Sequence, residues 1–212
     1  MPIRNSFPAK LFYQVLEKSV LSKLTHHSIK PDHFTLLGLI LAIMVPFGFY
    51  AHPILGFLFI LSSGVADSID GLMARNHGMD SDFGAFLDSS LDRFSDFFYV
   101  FGFWVLFWGS DRMILASTLI FLSLLFTSMI SYVKAKAEGL GYKCEVGLME
   151  RGLRTLFLIV WALLLSLFPS VFEIILWSGL ILYSAMTLFT VIQRIIYIKS
   201  QLVFQPGQTG TK

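Results

Sequence analysis

The sequence carries little charge. Asp, Glu, Lys and Arg make up 14% of its 212 residues, against roughly a quarter in an ordinary soluble domain. A water-solvated surface is hard to build at that level. With 55% hydrophobic residues and 22 phenylalanines, the composition suits lipid as the solvent for the outer surface. Cysteine is almost missing: Cys144 stands alone, which excludes an intramolecular disulfide and leaves that thiol as a bystander. The first ten residues hold no apolar stretch, so no cleaved signal peptide is expected. Strand-like alternation of apolar and polar residues never persists, which excludes a membrane barrel. The net charge is only +2. No nucleic-acid partner is expected, and the placement of the charges is more informative than their sum.

What the chain has in abundance is long apolar runs. They cover 34–50, 53–66, 97–108, 113–130, 156–168 and 171–192, the third starting as a mixed segment near Phe83. About 20 residues cross the hydrocarbon of a bilayer, and the shorter runs reach that length with their polar extensions. The expectation is an all-α integral membrane protein with six transmembrane helices in one domain over residues 1–202. A disordered tail over 203–212, with Pro206, Gly207 and Gly210, is expected to follow.

The basic residues orient the spans. Arg4, Lys10, Lys18, Lys23 and Lys30 precede the first run. Arg75 lies between the second and third, and Lys134, Lys136, Lys143, Arg151 and Arg154 between the fourth and fifth. Arg194, Lys199 and Lys212 come at the end, whereas the alternate connections at 51–52, 110–112 and 169–170 hold only Arg112. The positive-inside rule then places both termini on the cytoplasmic side of the cell membrane. Ahead of the first run, Leu11, Val15, Leu16, Val20, Leu21 and Leu24 recur at helical spacing among charged residues. That pattern predicts an amphipathic helix on the cytoplasmic leaflet, or alternatively a helix packed on the bundle.

The polar residues that remain are concentrated. Asp67, Asp70, Gly71 and Ala74 follow i, i+3, i+4, i+7 spacing and share one helix face, while Gly84, Asp88 and Asp92 form an i, i+4, i+8 stripe on the next helix. A short turn joins the two, so the helices are expected to be antiparallel neighbours with facing stripes. An Asp at a helix centre in a membrane costs about 2.5 to 3.5 kcal/mol, and clustered carboxylates repel one another. Divalent cations would relieve both costs, and oxygen-only ligands suit Mg2+ or Mn2+ better than Zn2+. Gly71, Ala74 and Gly84 serve either close helix packing or ligand access. Arg75 is either a positive-inside anchor or a phosphate-binding group. The alternatives for the acids themselves are a solvated cap or an ion pair with Arg93. Asp80, Asp82 and Asp96 are expected to be solvated or helix-capping.

These residues reproduce D-x2-D-G-x2-A-R-x8-G-x3-D-x3-D without a departure. The sequence thereby resembles the CDP-alcohol phosphatidyltransferase family. The resemblance implies that Asp67, Asp70, Asp88 and Asp92 hold a pair of divalent metals, Mg2+ or Mn2+. It implies that Asp92 is also the general base toward the acceptor hydroxyl. It assigns Gly71, Arg75 and Ser81 to the CDP portion of a CDP-linked lipid, with Ala74 and Gly84 giving it space. The stretch Pro31-Asp32-His33-Phe34-Thr35 resembles the family's motif at the start of the first span, which adds Asp32 and Thr35 to that site. A homodimer among membrane lipids is also implied.

Between the fourth and fifth runs the sequence reads SYVKAKAEGLG and then GLMERGLR. This resembles the branch that makes phosphatidylinositol phosphate or archaetidylinositol phosphate. Lys136 stands where Arg is usual, and Gly152 where Pro is common. Carried over, Ser131, Lys134, Lys136, Arg151 and Arg194 bind the phosphate of a small phosphorylated alcohol, inositol phosphate. A positive rim attracting anionic lipid remains the other reading of the same charges. Glycerol 3-phosphate is the next acceptor in line, and serine follows. From another class, an ion or metal transporter would spread its acids across the membrane depth. Here they gather at the cytoplasmic end, and Glu173 is the main polar residue in the outer halves.

Overall fold

The computed structural model describes residues 31–77 and 81–204. The expected amphipathic helix at 11–24 and residues 205–212 of the expected tail lie outside the described residues, while Val203 and Phe204 close the last helix. All regular structure among the described residues is helical. The chain forms α1 (Pro31–Ala51), α2 (Pro53–His77), α3 (Asp82–Val105), α4 (Met113–Gly139), α5 (Arg151–Leu167), a 3-10 turn (Pro169–Val171) and α6 (Phe172–Phe204).

Local chemistry sets these boundaries. α1 opens on Pro31, with Asp32 in its first turn at the positive end of the helix dipole. A single residue, His52, separates α1 from α2, and its Nδ1 accepts the Ile54 N–H at 3.2 Å. The two backbones nearly touch at this hairpin: a Cβ on Gly48 would lie 2.9 Å from the Gly56 nitrogen. α3 is capped by Ser81, whose Oγ accepts the Gly84 N–H at 2.9 Å. α4 ends in a Schellman motif. Gly141 takes a φ of +85°, its N–H donates to Glu138, and the Tyr142 N–H donates to Ala137.

The chain divides into two compact units at Leu106/Phe107, within α5 at Phe157/Leu158, and at Pro169/Ser170. The first unit contains α1, α2, α3 and α5 from Leu158 onward. α1 packs closely against both α2 and α3, whereas α2 and α3 share few close backbone approaches. The expected pairing of α2 with α3 is therefore mediated: α1 is the common partner, and side chains of α2 and α3 reach across a wider gap. Packed rings fill the other end of this unit, with Phe103 tilted against Phe49 at 4.8 Å and stacked on Trp161 at 3.9 Å.

The second unit contains α4, the segment 140–150, the start of α5 and α6. Its α4–α6 seam is polar and buried. Ser123 and Ser184 share a hydrogen bond of 2.7 Å, and Thr127 and Tyr183 one of 3.1 Å. Such bonds hold membrane helices together where apolar contact alone gives little preference over lipid.

Four helical segments are long and apolar enough to cross a bilayer: Asp32–Ala51, Pro53–Met73, Met113–Gly139 and Pro169–Val203. Large apolar side chains point outward on several helices, with Phe47 64%, Ile114 86% and Ile174 70% exposed, as suits a membrane protein whose surface is solvated by lipid. α3 has the length but carries Asp82, Asp88, Asp92, Arg93 and Asp96. α5 has 17 residues, about 26 Å of helix.

Candidate active site

The carboxylates of α2 and α3 converge. Asp67, Asp70 and Asp88 each offer an oxygen such that these atoms all lie within 4.8 Å of one another. Asp70 is 5% exposed, and its Oδ2 has no hydrogen-bond partner among the described residues. Its carboxylate is held from α1 by a side-chain hydrogen bond with Thr35. Behind it, Ile69, Leu72 and Met73 pack with Phe34 and Val65, so the apolar side of α2 fixes the direction in which its acids project. Asp92, one turn beyond Asp88, is half-buried and stands outside the group of three.

The loop side of the site is formed by the start of α1 and the start of α3. A Cβ on Gly84 would lie 3.0 Å from Ser81 Oγ and 4.0 Å from Asp32 Oδ1. Asp32, Thr35, Ser81 and Gly84 thus border the same end of the first unit as the acids. Gly71 is half-buried one residue past Asp70. Ala74 and Arg75 lie in the last turns of α2, and the described side chains do not include theirs. Arg93 turns to its own helix, donating to the Ser89 carbonyl and hydroxyl. Asp82 is exposed in the first turn of α3. Asp96 corrects the sequence reading: it is 5% exposed and neither solvated nor at a helix end. It continues the Asp88–Asp92 stripe one turn deeper into the packed unit.

The residues expected to bind the acceptor phosphate belong to the second unit. Ser131 is half-buried on α4, and Lys136 is exposed in its last turn. Lys134 pairs with Glu138 at 3.8 Å, both side chains about half exposed. Arg151 starts α5 and is half-buried. Arg194 is 3% exposed; its Nη1 donates to the Ile130 carbonyl at 2.6 Å and its Nε to the Val146 carbonyl at 2.8 Å. Arg154 is equally buried, at 2%, donates Nη1 to the Met149 carbonyl at 3.1 Å, and stands within electrostatic reach of Arg194. Sequence reasoning counted Arg154 only among the orienting charges. Its signal was present: an arginine one turn into an apolar helix needs a polar destination.

Residues 28–191 match the sequence model of CDP-alcohol phosphatidyltransferases. The chain belongs to the CDP-alcohol phosphatidyltransferase family. Archaetidylinositol phosphate synthase of Methanothermobacter thermautotrophicus is 32% identical over 95% of this chain and all of its own length. Phosphatidylinositol phosphate synthase of Cutibacterium acnes is 39% identical over 60% of this chain and 63% of its own. The phosphatidylinositol phosphate synthase of Mycobacterium tuberculosis in its apo form has the same fold, with a TM-score of 0.67 at 28% identity, covering 90% of this chain and 98% of that one. The same enzyme has also been solved in complex with manganese and citrate, with a TM-score of 0.67 at 23% identity over 90% of each chain.

As a CDP-alcohol phosphatidyltransferase, this membrane enzyme moves a substituted phosphate group from a CDP-linked lipid to an alcohol and releases CMP. Membership sets the transporter reading aside. The acids fit a hard divalent cation on their own chemistry: all donors are oxygens, three of them converge, and one buried oxygen of Asp70 lacks a partner.

Proposed function

We propose that this phosphatidyltransferase uses inositol phosphate as its acceptor, forming the inositol phosphate ester of a diacylglycerol- or archaeol-type lipid. The convergence of Asp67, Asp70 and Asp88 carries the donor half of this reading. Two metals held by these residues and Asp92 would neutralise the donor's pyrophosphate and polarise the phosphorus under attack. Asp32, Thr35, Gly71, Ala74, Arg75, Ser81 and Gly84 bind the CDP portion. Asp92 takes the proton of the acceptor hydroxyl. That oxygen bonds to the lipid-bearing phosphorus, and the bond from this phosphorus to the CMP oxygen breaks.

The acceptor half rests on cations. Buried guanidiniums at 154 and 194 favour an anionic ligand, because neighbouring like charges out of water are relieved by an anion between them. Ser131, Lys134, Lys136 and Arg151 extend that set. The curated relatives with matching names make phosphatidylinositol phosphate or archaetidylinositol phosphate. Glycerol 3-phosphate meets the same phosphate requirement and is the second acceptor. The enzyme works as a homodimer, with α3 and α5 completing six spans and with both termini and the active site on the cytoplasmic face.

An acceptor panel tests this: CDP-diacylglycerol and CDP-archaeol, each with inositol 1-phosphate, glycerol 3-phosphate, free inositol and serine, scored by CMP release from purified enzyme. Inositol phosphate is expected to be used at least tenfold better than the rest. Exclusive use of an unphosphorylated alcohol would overturn the role given to the basic residues.

A further inference from the structure

One turn before Asp67 on α2 and two turns beyond Asp92 on α3, two buried hydrogen bonds join all three helices of the acid site. The Tyr99 hydroxyl on α3 donates to Ser63 Oγ on α2 at 2.6 Å. Ser63 Oγ in turn donates to the Gly38 carbonyl on α1 at 2.6 Å. Tyr99 is 3% exposed and Ser63 1%.

Ser63 behaves unlike several other helical serines among the described residues. Ser68, Ser90, Ser166 and Ser184 each donate to the carbonyl four residues back in their own helix, the usual outlet for a helical hydroxyl. Ser63 sends its proton to a neighbouring helix instead. The acceptor sits where α1 and α2 approach closely: a Cβ on Gly38 would lie 3.5 Å from the Ser63 carbonyl and 3.8 Å from the backbone nitrogen of Asp67. Gly38 is also one turn after Thr35, the residue bonded to Asp70.

Apolar contacts let helices slide; hydrogen bonds tolerate only a few tenths of an ångström before weakening. α2 and α3 share few close backbone approaches, so ridges interlocked directly between them contribute little to their relative height. Each packs on α1, and the Tyr99–Ser63–Gly38 chain is the hydrogen-bonded tie that links all three. We propose that Tyr99 and Ser63 are positioning residues for the carboxylate set: by fixing α3 and α2 at matched heights on α1, they hold Asp88 at coordination distance from Asp67 and Asp70. The inference rests on reading those acids as metal ligands.

The test uses the full chain in detergent, with Mn2+ binding measured by electron paramagnetic resonance without substrates, alongside thermal unfolding. The variants are Tyr99→Phe, Ser63→Ala and their combination. Tyr183→Phe is the control, since it also removes a buried hydroxyl, one bonded to Thr127 in the second unit. Tyr99→Phe and Ser63→Ala are each expected to weaken Mn2+ binding about tenfold, the scale seen for groups that orient metal ligands. The double variant should be little worse than the poorer single one, because the two act as one chain. Tyr183→Phe should bind Mn2+ as wild type does, even where its unfolding temperature falls as far. Wild-type Mn2+ affinity in both Tyr99→Phe and Ser63→Ala would overturn the proposal, as would an equal loss in Tyr183→Phe. If either variant does not fold, the other decides. Absence of Mn2+ binding by the wild type would instead refute the metal reading itself, and the positioning role with it.

Discussion

Replacing Asp70 by Asn keeps the shape of the side chain and removes its charge, which separates electrostatics from packing. In the wild type, Asp67, Asp70 and Asp88 present oxygens within 4.8 Å of one another. Two unit charges at that separation repel by about 3.5 kcal/mol at an effective dielectric near 20. The substitution deletes two of the three pairs, a Coulomb relief of roughly 7 kcal/mol before screening. Asp67 and Asp88 are half-buried, so solvent reduces the net relief to about 1–2 kcal/mol. In EDTA, Asp70→Asn should therefore unfold at a higher temperature than wild type, by roughly 2–8 °C. Mn2+ reverses the order. At a hundred times its dissociation constant a ligand stabilises the folded state by about 2.7 kcal/mol, which the wild type gains and the variant, short of one ligand, largely forgoes. CMP release should fall to background. The assay is thermal unfolding in detergent, with EDTA or with millimolar Mn2+, beside CMP release from CDP-diacylglycerol. A variant less stable than wild type in EDTA and equally stabilised by Mn2+ would refute the idea of a mutually repelling set that a cation neutralises.

Other substitutions probe single links of the argument. Asp92→Asn should lower turnover by about two to four orders of magnitude while CDP-lipid binding, followed by ligand-induced thermal stabilisation, survives in part; normal turnover removes Asp92 from the base role. Gly147→Ala forces an L side chain to a φ of +139° and a Cβ to 2.9 Å from Arg194 Nε. It should cost about 1–3 kcal/mol in denaturation and raise KM for the acceptor more than KM for the CDP-lipid. Ser81→Ala removes the cap on Gly84 N–H and should lower stability by about 1 kcal/mol, with KM for the CDP-lipid rising because the cap borders that site.

Helix spacing made the acid site legible. Residues three or four apart on a helix share a face whatever surrounds them, so Asp67 with Asp70, and Asp88 with Asp92, could be grouped from numbering alone. The apolar runs gave the helices for the same reason. Burial was less accessible, because it depends on which helices meet. Asp96 looks in the sequence like one more charge ahead of the apolar run that starts at Phe97, yet packing buries it. Arg154 looks like a positive-inside residue, yet it is among the most buried side chains of the chain. The place of α1 was also hidden. A short connection between α2 and α3 says that they are near each other; it does not say that a third helix is the closer partner of each. The six-span expectation divides in the same way: four segments qualify on length and composition alone, while α3 carries four Asp residues and Arg93 and α5 is short.

The position of the acids along α2 and α3 follows from a counting argument. α2 ends at His77 and α3 begins at Asp82, so depth along both helices can be counted from one short connection. At about 1.5 Å of rise per residue, Asp70 lies roughly 10 Å from the end of α2, and Asp88 roughly 9 Å from the start of α3. Asp67 and Asp92 each lie about 15 Å from those ends by the same rise. The acids therefore form two matched levels, Asp70 with Asp88 and Asp67 with Asp92. A short connection fixes this match at one end. It leaves tilt to be set by the packing of each helix on α1, since α2 and α3 share few close backbone approaches of their own. The Tyr99–Ser63–Gly38 bonds lie on the far side of the acids from the connection, so the carboxylates are bracketed by two constraints. Cations that require their oxygens within a few tenths of an ångström of ideal positions need both. A helix pair pinned only at the loop would bring the acids near each other without holding them at one distance.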